Sequence, residues 1–278
     1  MAVLKWDQDT KRLYETGTKN GVLYPKKADG TYDVGVAWNG LTAISESPSG
    51  AEETALYADD DKYLSLRSKE EFGGTIEAYT YPDEWAICDG SASLDDNNGF
   101  TLGQQTRRGF GLCYRTTLGN DVEGNDYGYK LHLVYNALAS PSEKSYATIN
   151  DSPEAITFSW TFTTTPIEFR SDLQKSSTLT INSKKVSPEV LSAIEDKLYG
   201  TANTDPEMPT PDWIISLIES GGASGTFTEV STSSAGYADK SPKDEGWYEK
   251  TGENPDKYTR SKDTVVDIST TYYVRTTS

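Results

Sequence analysis

The sequence contains very little histidine and cysteine. Its 278 residues include one histidine, His132, and two cysteines, Cys88 and Cys113. Two cysteines so far apart predict neither a disulfide framework nor a zinc site, and they indicate folding in a reducing, cytoplasmic compartment. A Ser-His-Asp site would have to use His132, and no G-x-S-x-G motif accompanies it. In the alternation of Tyr129–Tyr135, His132 falls opposite the aromatic residues, so we expect a surface imidazole on a strand rather than a catalytic group or a ligand.

Cofactor and metal motifs are missing as well, including H-E-x-x-H, C-x-x-C, the Walker A loop and G-x-G-x-x-G. Arg108–Leu112 contains G-x-G without a third glycine or a following helix, which is typical of glycines in a bent strand. The acidic clusters Asp59–Asp61 and Asp95–Gly99 lack the spacing of a calcium loop, so we expect solvated turns. Composition leaves open a glycosidase with two carboxylates, but no residue is predicted to be catalytic, cofactor-binding or metal-binding.

Basic charge and long apolar runs are also scarce. The 26 Lys and Arg residues face 43 Asp and Glu residues, giving a formal net charge of −17. This excess weighs against a protein that binds nucleic acid, which needs a basic surface. No apolar run reaches the roughly 20 residues of a membrane helix. The first residues lack the continuous apolar segment of a secretory signal.

What the sequence does contain is a series of short alternating segments, separated by Gly, Asn, Asp and Ser. The clearest is Ile156–Thr163, in which large apolar residues alternate with Thr and Ser. Gly30–Trp38 and Thr75–Tyr81 follow glycine-containing turn signals. This pattern predicts a mainly β fold, an antiparallel sandwich or barrel with one or two short flanking helices.

The alternation lapses between residues 46 and 61, which are rich in Pro, Ser, Gly and acids. We expect a long, exposed acidic loop here. Structureless loops of this length are uncommon in compact domains and tend to be functional, so the segment is a candidate for contact with a partner. An indifferent flexible insert is the alternative.

Two short helices are predicted near the end of the main domain. Ser187-Pro188-Glu189 is a typical helix start and Gly200 a typical stop, which predicts a helix over 188–199. Thr210-Pro211-Asp212 predicts a second helix over 211–219. We therefore divide the chain into a domain at 1–219, a Gly/Ser/Thr linker at 220–236 and a small β-rich C-terminal module at 237–278.

Several segments together resemble one protein family, the major tail (tail tube) proteins of tailed bacteriophages and prophages of Gram-positive bacteria. The resemblance covers roughly residues 1–219 and contains no catalytic fingerprint. It is carried by WNGLTAISESPSGAEETALYADD (Trp38–Asp60), TIEAYTYPDEWAICDGS (Thr75–Ser91), GQQTRRGFGLCYRTTLGND (Gly103–Asp121), the long segment Tyr127–Pro166, and the helix pair LYGT…PTPDWIISLI.

The resemblance implies a structural virion protein, not an enzyme, with a β-sandwich that assembles into hexameric rings. The rings stack into a hollow tube, the conduit for DNA ejection into the host. By analogy, residues 46–61 would be the ring-stacking loop and Met1–Tyr24 an arm that joins rings. The implied partners are further copies of the chain, a tape measure protein, and tail terminator and distal tail proteins, with DNA only in transit and no membrane. The implied location is the virion tail, after assembly in the host cytoplasm.

Two other functions stay open at this point. The first is an extracellular carbohydrate-binding or adhesive β-sandwich, in which exposed aromatic residues such as Trp247 and Tyr248 would stack on sugars. The second is an enzyme with paired carboxylates.

Overall fold

The computed structural model describes residues 3–95, 99–149, 151, 154–220, 226–229, 247–252, 257–260 and 270–276. These residues are mainly β, with antiparallel sheets and a few short helices, which confirms the predicted fold class. The chain packs as two compact units: one comprises residues 1–184 with 198–208, and the other 185–197 with 209–278.

The elements are numbered in chain order. The strands described in the first unit are β1 (Leu13–Pro25), β2 (Val36–Trp38), β3 (Leu41–Glu46), β4 (Ser49–Gly50), β5 (Glu53–Ala58), β6 (Asp61–Arg67), β7 (Glu70–Glu71), β8 (Gly73–Ala78), β9 (Ala92–Ser93), β10 (Thr101–Leu102), β11 (Phe110–Asn120), β12 (Gly124–Ala139), β13 (Phe158–Thr164) and β14 (Thr178–Asn182). A 3-10 turn at Asp83–Trp85 leads into helix α1 (Ala86–Asp89). The later elements are α2 (Pro188–Tyr199), α3 (Pro211–Glu219), β15 (Thr226–Glu229), β16 (Tyr248–Gly252), β17 (Lys257–Arg260) and β18 (Tyr272–Thr276).

One large sheet organises the first unit, with strand order β2-β1-β11-β12-β13-β8-β3. The long strand β12 pairs with β14 along Lys130–Val134 and with β13 along Ala137–Ala139. Strands β2 and β3 stand at opposite ends of this order, yet only the turn Asn39–Gly40 separates them in the chain. The sheet therefore curls back on itself.

The core of the first unit is centred on three tryptophans from different parts of this curl. Trp38 on β2, Trp85 before α1 and Trp160 on β13 are buried, with ring centroids 4.8 to 5.8 Å apart. Such aromatic pairs contribute about 0.5–1.5 kcal/mol each beyond the area they bury. Trp38 and Trp160 belong to distant strands of the sheet order, so their contact holds the curl together.

The exposure predicted for His132 is wrong. Its side chain is only 13% exposed, and its ring stacks on Tyr114 with centroids 4.7 Å apart. The alternation itself is correct, because Leu131, Leu133 and Tyr135 face the other side of β12. Both sides are covered here, and those three residues are buried too. A period of two shows which residues share a face but does not show which face meets water.

The second unit contains most of α2, all of α3 and a four-stranded sheet of order β15-β18-β16-β17. Both helices begin and end at the residues predicted from their caps. Their contacts place all of α3 and most of α2 in one unit with the C-terminal strands, whereas the sequence assigns both helices to the main domain. The domain boundary at 219–220 stays a prediction. Within the predicted linker 220–236, Thr226–Glu229 forms strand β15, and most of the remaining residues lie outside the described part of the chain. The sequence does not predict this strand, because Gly- and Ser-rich residues flank its short Thr-Phe-Thr segment.

Trp247 lies in this second unit and is 5% exposed, with its ring 5.7 Å from that of the buried Tyr272. It is therefore not available as the exposed stacking platform that the carbohydrate-binding alternative requires.

Candidate assembly surface

The segment predicted as a structureless loop is a β-hairpin. Its base is the short pair β4–β7, and its outer part is the pair β5–β6, which forms a two-stranded sheet of its own. The Ser47 N–H donates to the Gly73 carbonyl at 2.8 Å, so the hairpin leaves the main sheet and returns to it at adjacent positions. We call residues 49–71 the hairpin. The predicted exposure is correct, since every residue of β5 and β6 is exposed except Ala55, which is partly buried.

A tight turn and a continued alternation explain why this segment pairs. Asp59 and Asp60 have φ values of 50° and 66°, the left-handed backbone of a type I′ hairpin turn. Apolar residues alternate on both sides of this turn, and the second strand lies beyond residue 61, where the predicted loop ended. The acidic triplet masked this signal, although Asp tolerates left-handed φ values in turns.

The two faces of the hairpin differ in character. Leu56 lies opposite Leu64, and Thr54 lies opposite Leu66, so these four residues form one surface, the leucine face. Leu56 is 42% exposed, Leu64 is 38% exposed and Leu66 is 56% exposed. A two-stranded sheet is marginally stable in water, and an uncovered apolar patch marks an interaction surface.

The opposite face of the hairpin is polar and carries its own ion pairs. The Lys62 ammonium lies 2.6 Å from a carboxylate oxygen of Glu53, and the Arg67 guanidinium lies 3.9 Å from the other. Hydrogen bonds from Lys62 and Ser65 hold the pKa of Glu53 below its usual value. Since all these groups are in water, their contribution to stability is small. This face does not require a covering partner.

The N-terminal segment is a second exposed element, shorter than predicted. Residues 3–12 precede β1, and Val3, Leu4 and Trp6 are 74–84% exposed. Arg12 anchors the base of this segment through an ion pair to Asp121 at 3.2 Å. The predicted arm Met1–Tyr24 is too long, because β1 begins at Leu13 and its last residues are buried in the main sheet, where they pair with β2 and β11. Met1 and Ala2 lie outside the described residues.

A polar cluster around His132 lies where both exposed elements join the sheet. His132 Nε2 is 3.5 Å from Glu15 on β1, just after the N-terminal segment. His132 Nδ1 is 3.7 Å from Glu46, the last residue of β3 before the hairpin. The Tyr114 hydroxyl donates to Glu46 at 2.5 Å, and Lys130 donates to Glu15 at 2.5 Å. The cluster thus ties both elements to the central strands β11 and β12.

Burial decides the protonation of this cluster. Burial lowers the pKa of His132, and attraction to Glu46 and Glu15 offsets only part of that, so the ring is neutral at pH 7. Burial alone would raise the pKa of Glu15, but hydrogen bonds from Lys130 and Thr116 outweigh it and leave the pKa below its usual value. The His132 Nδ1 atom is buried and has no hydrogen-bond partner among the described residues.

The cysteines and acidic clusters of the first unit do not come together in one site. Cys88 and Cys113 are buried and form no disulfide. Burial raises the pKa of the Cys88 thiol to about 12, so this thiol is a poor nucleophile. Asp95 accepts the Phe100 N–H at 3.1 Å in a turn, while residues 96–98 of that acidic cluster lie outside the described part. Among the described residues, no three His, Cys, Asp or Glu side chains are grouped to hold a metal ion. In the same part of the chain, no helix has the length and apolar character needed to cross a membrane.

Comparisons with known proteins find no sequence relative and only distant structural neighbours. No family model matches the chain, and no curated protein matches its sequence. One structural neighbour is the sheath/tube terminator of an extracellular contractile injection system (PVC) in the extended state, with 11% identity, a TM-score of 0.29, and coverage of 64% of this chain and 99% of that chain. Another is a chain of the sheath–tube complex of such a system, with 13% identity, a TM-score of 0.26, and coverage of 64% and 94%. At these TM-scores the likenesses carry no argument.

Proposed function

We propose that this chain is a structural virion protein, the subunit of a bacteriophage tail tube. Copies assemble into hexameric rings, and the rings stack into a hollow tube through which DNA is ejected into the host. The observation that carries the proposal is the exposed leucine face of the hairpin. Its first strand lies within residues 46–61, the segment that the family resemblance assigns to ring stacking, and its second strand follows directly after that segment. The role is not enzymatic, and the chain acts in the virion tail after assembly in the host cytoplasm.

Self-association is the simplest way to cover the exposed elements of the first unit. The leucine face and the apolar residues of the N-terminal segment would leave water when two copies meet, and burial of apolar surface is the main driving force of association. No other strand in the described part of the chain pairs with β5 or β6, and joining a neighbouring subunit satisfies such open edges. Tape measure, tail terminator and distal tail proteins are the further partners that we propose for the ends and bore of the tube.

The charge of the chain suits a passage for DNA. A formal charge of −17 per subunit repels a polyanion, so DNA would pass without binding to the wall. Screening limits this repulsion to about 8–10 Å at physiological ionic strength, so it acts on DNA close to the wall.

Replacing the hairpin tests the proposal. Because residues 47 and 73 are hydrogen-bonded neighbours, residues 49–71 can be replaced by an Asn-Gly turn without stretching the main sheet. In negative-stain electron microscopy, we expect the full chain to form hollow filaments with ring striations when concentrated, and the hairpin-less variant to stay monomeric. Circular dichroism and urea unfolding of the variant check that its main sheet is intact. Normal tubes from the hairpin-less variant would overturn the role of the hairpin, and full-length protein that never polymerises, even with tail initiation proteins, would overturn the tube.

A further inference from the structure

The tip of the hairpin concentrates negative charge. Asp59, Asp60 and Asp61 are consecutive at the turn, and all three are exposed. The adjacent Lys62 pairs with Glu53 at 2.6 Å, and no ion pair between described residues includes any of the three tip aspartates. Three neighbouring carboxylates repel one another, and a cation outside the hairpin would relieve that repulsion.

A polar cleft elsewhere in the first unit offers such cations. It has a volume of about 420 Å³, within the range of ligand-binding clefts. It is formed by the turn after α1, the segment before β11 and the segment after β12. Its lining includes Asp89, Gly90, Gln104, Gln105, Arg107 and Lys144.

Arg107 is the cation of this cleft that forms no ion pair with the described residues. Lys144 is paired with Asp89 at 2.6 Å, whereas no ion pair of the described residues includes Arg107. The Arg107 Nε atom is buried without a hydrogen-bond partner in the described part of the chain. Arg107 also lines the open cleft, so a carboxylate supplied from outside can pair with the rest of its guanidinium group.

The backbone of the cleft is shaped to hold this arginine. Gly90 has a φ of +79°, and a Cβ at this position would lie 3.0 Å from the guanidinium carbon of Arg107 and 3.0 Å from the Gln105 carbonyl oxygen. Only glycine combines this backbone conformation with so close an approach. The Gln105 N–H donates to the Gly90 carbonyl at 2.8 Å, which fixes the two walls against each other. The guanidinium of Arg107 therefore lies close against the backbone of Gly90.

We infer that the acidic tip Asp59–Asp61 of one copy docks in this cleft of a second copy, where Arg107 binds one of its carboxylates. The inference rests on the proposed function. Guanidinium and carboxylate form strong, charge-assisted, bidentate hydrogen bonds. Copies with a net charge of −17 repel each other overall, so a stable contact between them needs local charge complementarity. Tip and cleft are different surfaces, so the contact is head-to-tail, and repetition of such a contact builds rings or filaments.

Disulfide trapping between full-length copies tests this contact. One preparation carries Asp60→Cys, the other carries Gln104→Cys, and the two are mixed under a mild oxidant. Cys88 and Cys113 are buried, so wild-type protein provides the background. The matched control replaces Asp60→Cys by Ser65→Cys, which lies on the polar face of the same hairpin. We expect at least about tenfold more crosslinked heterodimer from the tip variant than from the control, because docking raises the local concentration of the two thiols.

Every outcome of this experiment is informative when the same protein is also viewed by electron microscopy. Crosslinks together with striated tubes support both the docking and the proposed function. Tubes without crosslinks overturn the docking and leave the proposed function standing. Crosslinks without tubes support the docking and overturn the proposed function. The absence of both overturns both. As a second measurement, Arg107→Glu should weaken association and Asp60→Arg should restore it in the double variant; failure of that rescue contradicts the charge pairing.

Discussion

Replacing the leucine face by threonines measures how much this surface contributes to assembly. The variant carries Leu56→Thr, Leu64→Thr and Leu66→Thr, and the β-branched threonine side chain suits strands. Complete burial of a leucine is worth about 1.5–3 kcal/mol, and about half of each side chain is still exposed in the monomer. Each leucine can therefore contribute about 1 kcal/mol to assembly, or about 3 kcal/mol for each hairpin. At 1.4 kcal/mol per tenfold change, the critical concentration for polymerisation should rise roughly 100-fold.

The assay is sedimentation of polymer over a series of protein concentrations, with the critical concentration taken from the protein left in the supernatant. Urea unfolding of the monomer should change by less than about 1 kcal/mol, because surface substitutions have small effects on stability. The matched control, Ala55→Thr with Ser65→Thr, alters the polar face of the same hairpin and should leave the critical concentration near that of the wild type. An unchanged critical concentration in the triple variant, with tubes of normal appearance, would refute the argument that the leucine face drives assembly.

Three further predictions concern stability and use urea unfolding. Trp85→Ala should destabilise the first unit by about 3–5 kcal/mol, because it empties the fully buried centre of the core; a loss below about 1 kcal/mol would contradict that packing. The free energy of unfolding should fall as the pH drops below about 6.5, because His132 takes up a proton near 6.5 in the unfolded chain while burial lowers the pKa of the folded ring. His132→Gln should reduce the difference in this free energy between about pH 7.5 and about pH 5.5. An unchanged difference would argue against the neutral ring. Thr210→Ala should cost about 1 kcal/mol, because the Thr210 hydroxyl accepts the Trp213 N–H at the start of α3; Thr210→Ser is the control that keeps this cap, and equal losses in both variants would contradict the capping role.

Local signals in the sequence predict the helices and strands of this protein well, but they do not predict what packs around each element. The caps Ser187-Pro188 and Thr210-Pro211 predict both longer helices to the residue, because capping depends on a few adjacent groups. Alternation likewise identifies which residues of β11 and β12 share a face. The burial of His132 could not be predicted, because it depends on strands β1 and β3, which come from distant parts of the chain and supply Glu15 and Glu46.

The sequence predicts where in the chain the exposed segment lies but not its secondary structure. Residues 46–61 are predicted to be an exposed loop that contacts a partner. The exposure is correct and the contact stays a prediction, while the pairing of β5 with β6 is missed because acidic residues occupy its turn. The Arg107 cleft was missed altogether, since it brings together three segments that are distant in the chain, and no local pattern marks it. Alternation read across the Asp59-Asp60 turn could have revealed the hairpin; nothing comparable could have revealed the cleft.

Electron cryomicroscopy of the polymerised full-length protein tests the central claim most directly. The account predicts a hollow tube of stacked six-subunit rings, in which the leucine face of every hairpin is buried against a neighbouring copy. A chain that remains monomeric at high concentration even with tail initiation proteins present, or an assembly that has no bore and leaves the hairpin in solvent, would contradict it.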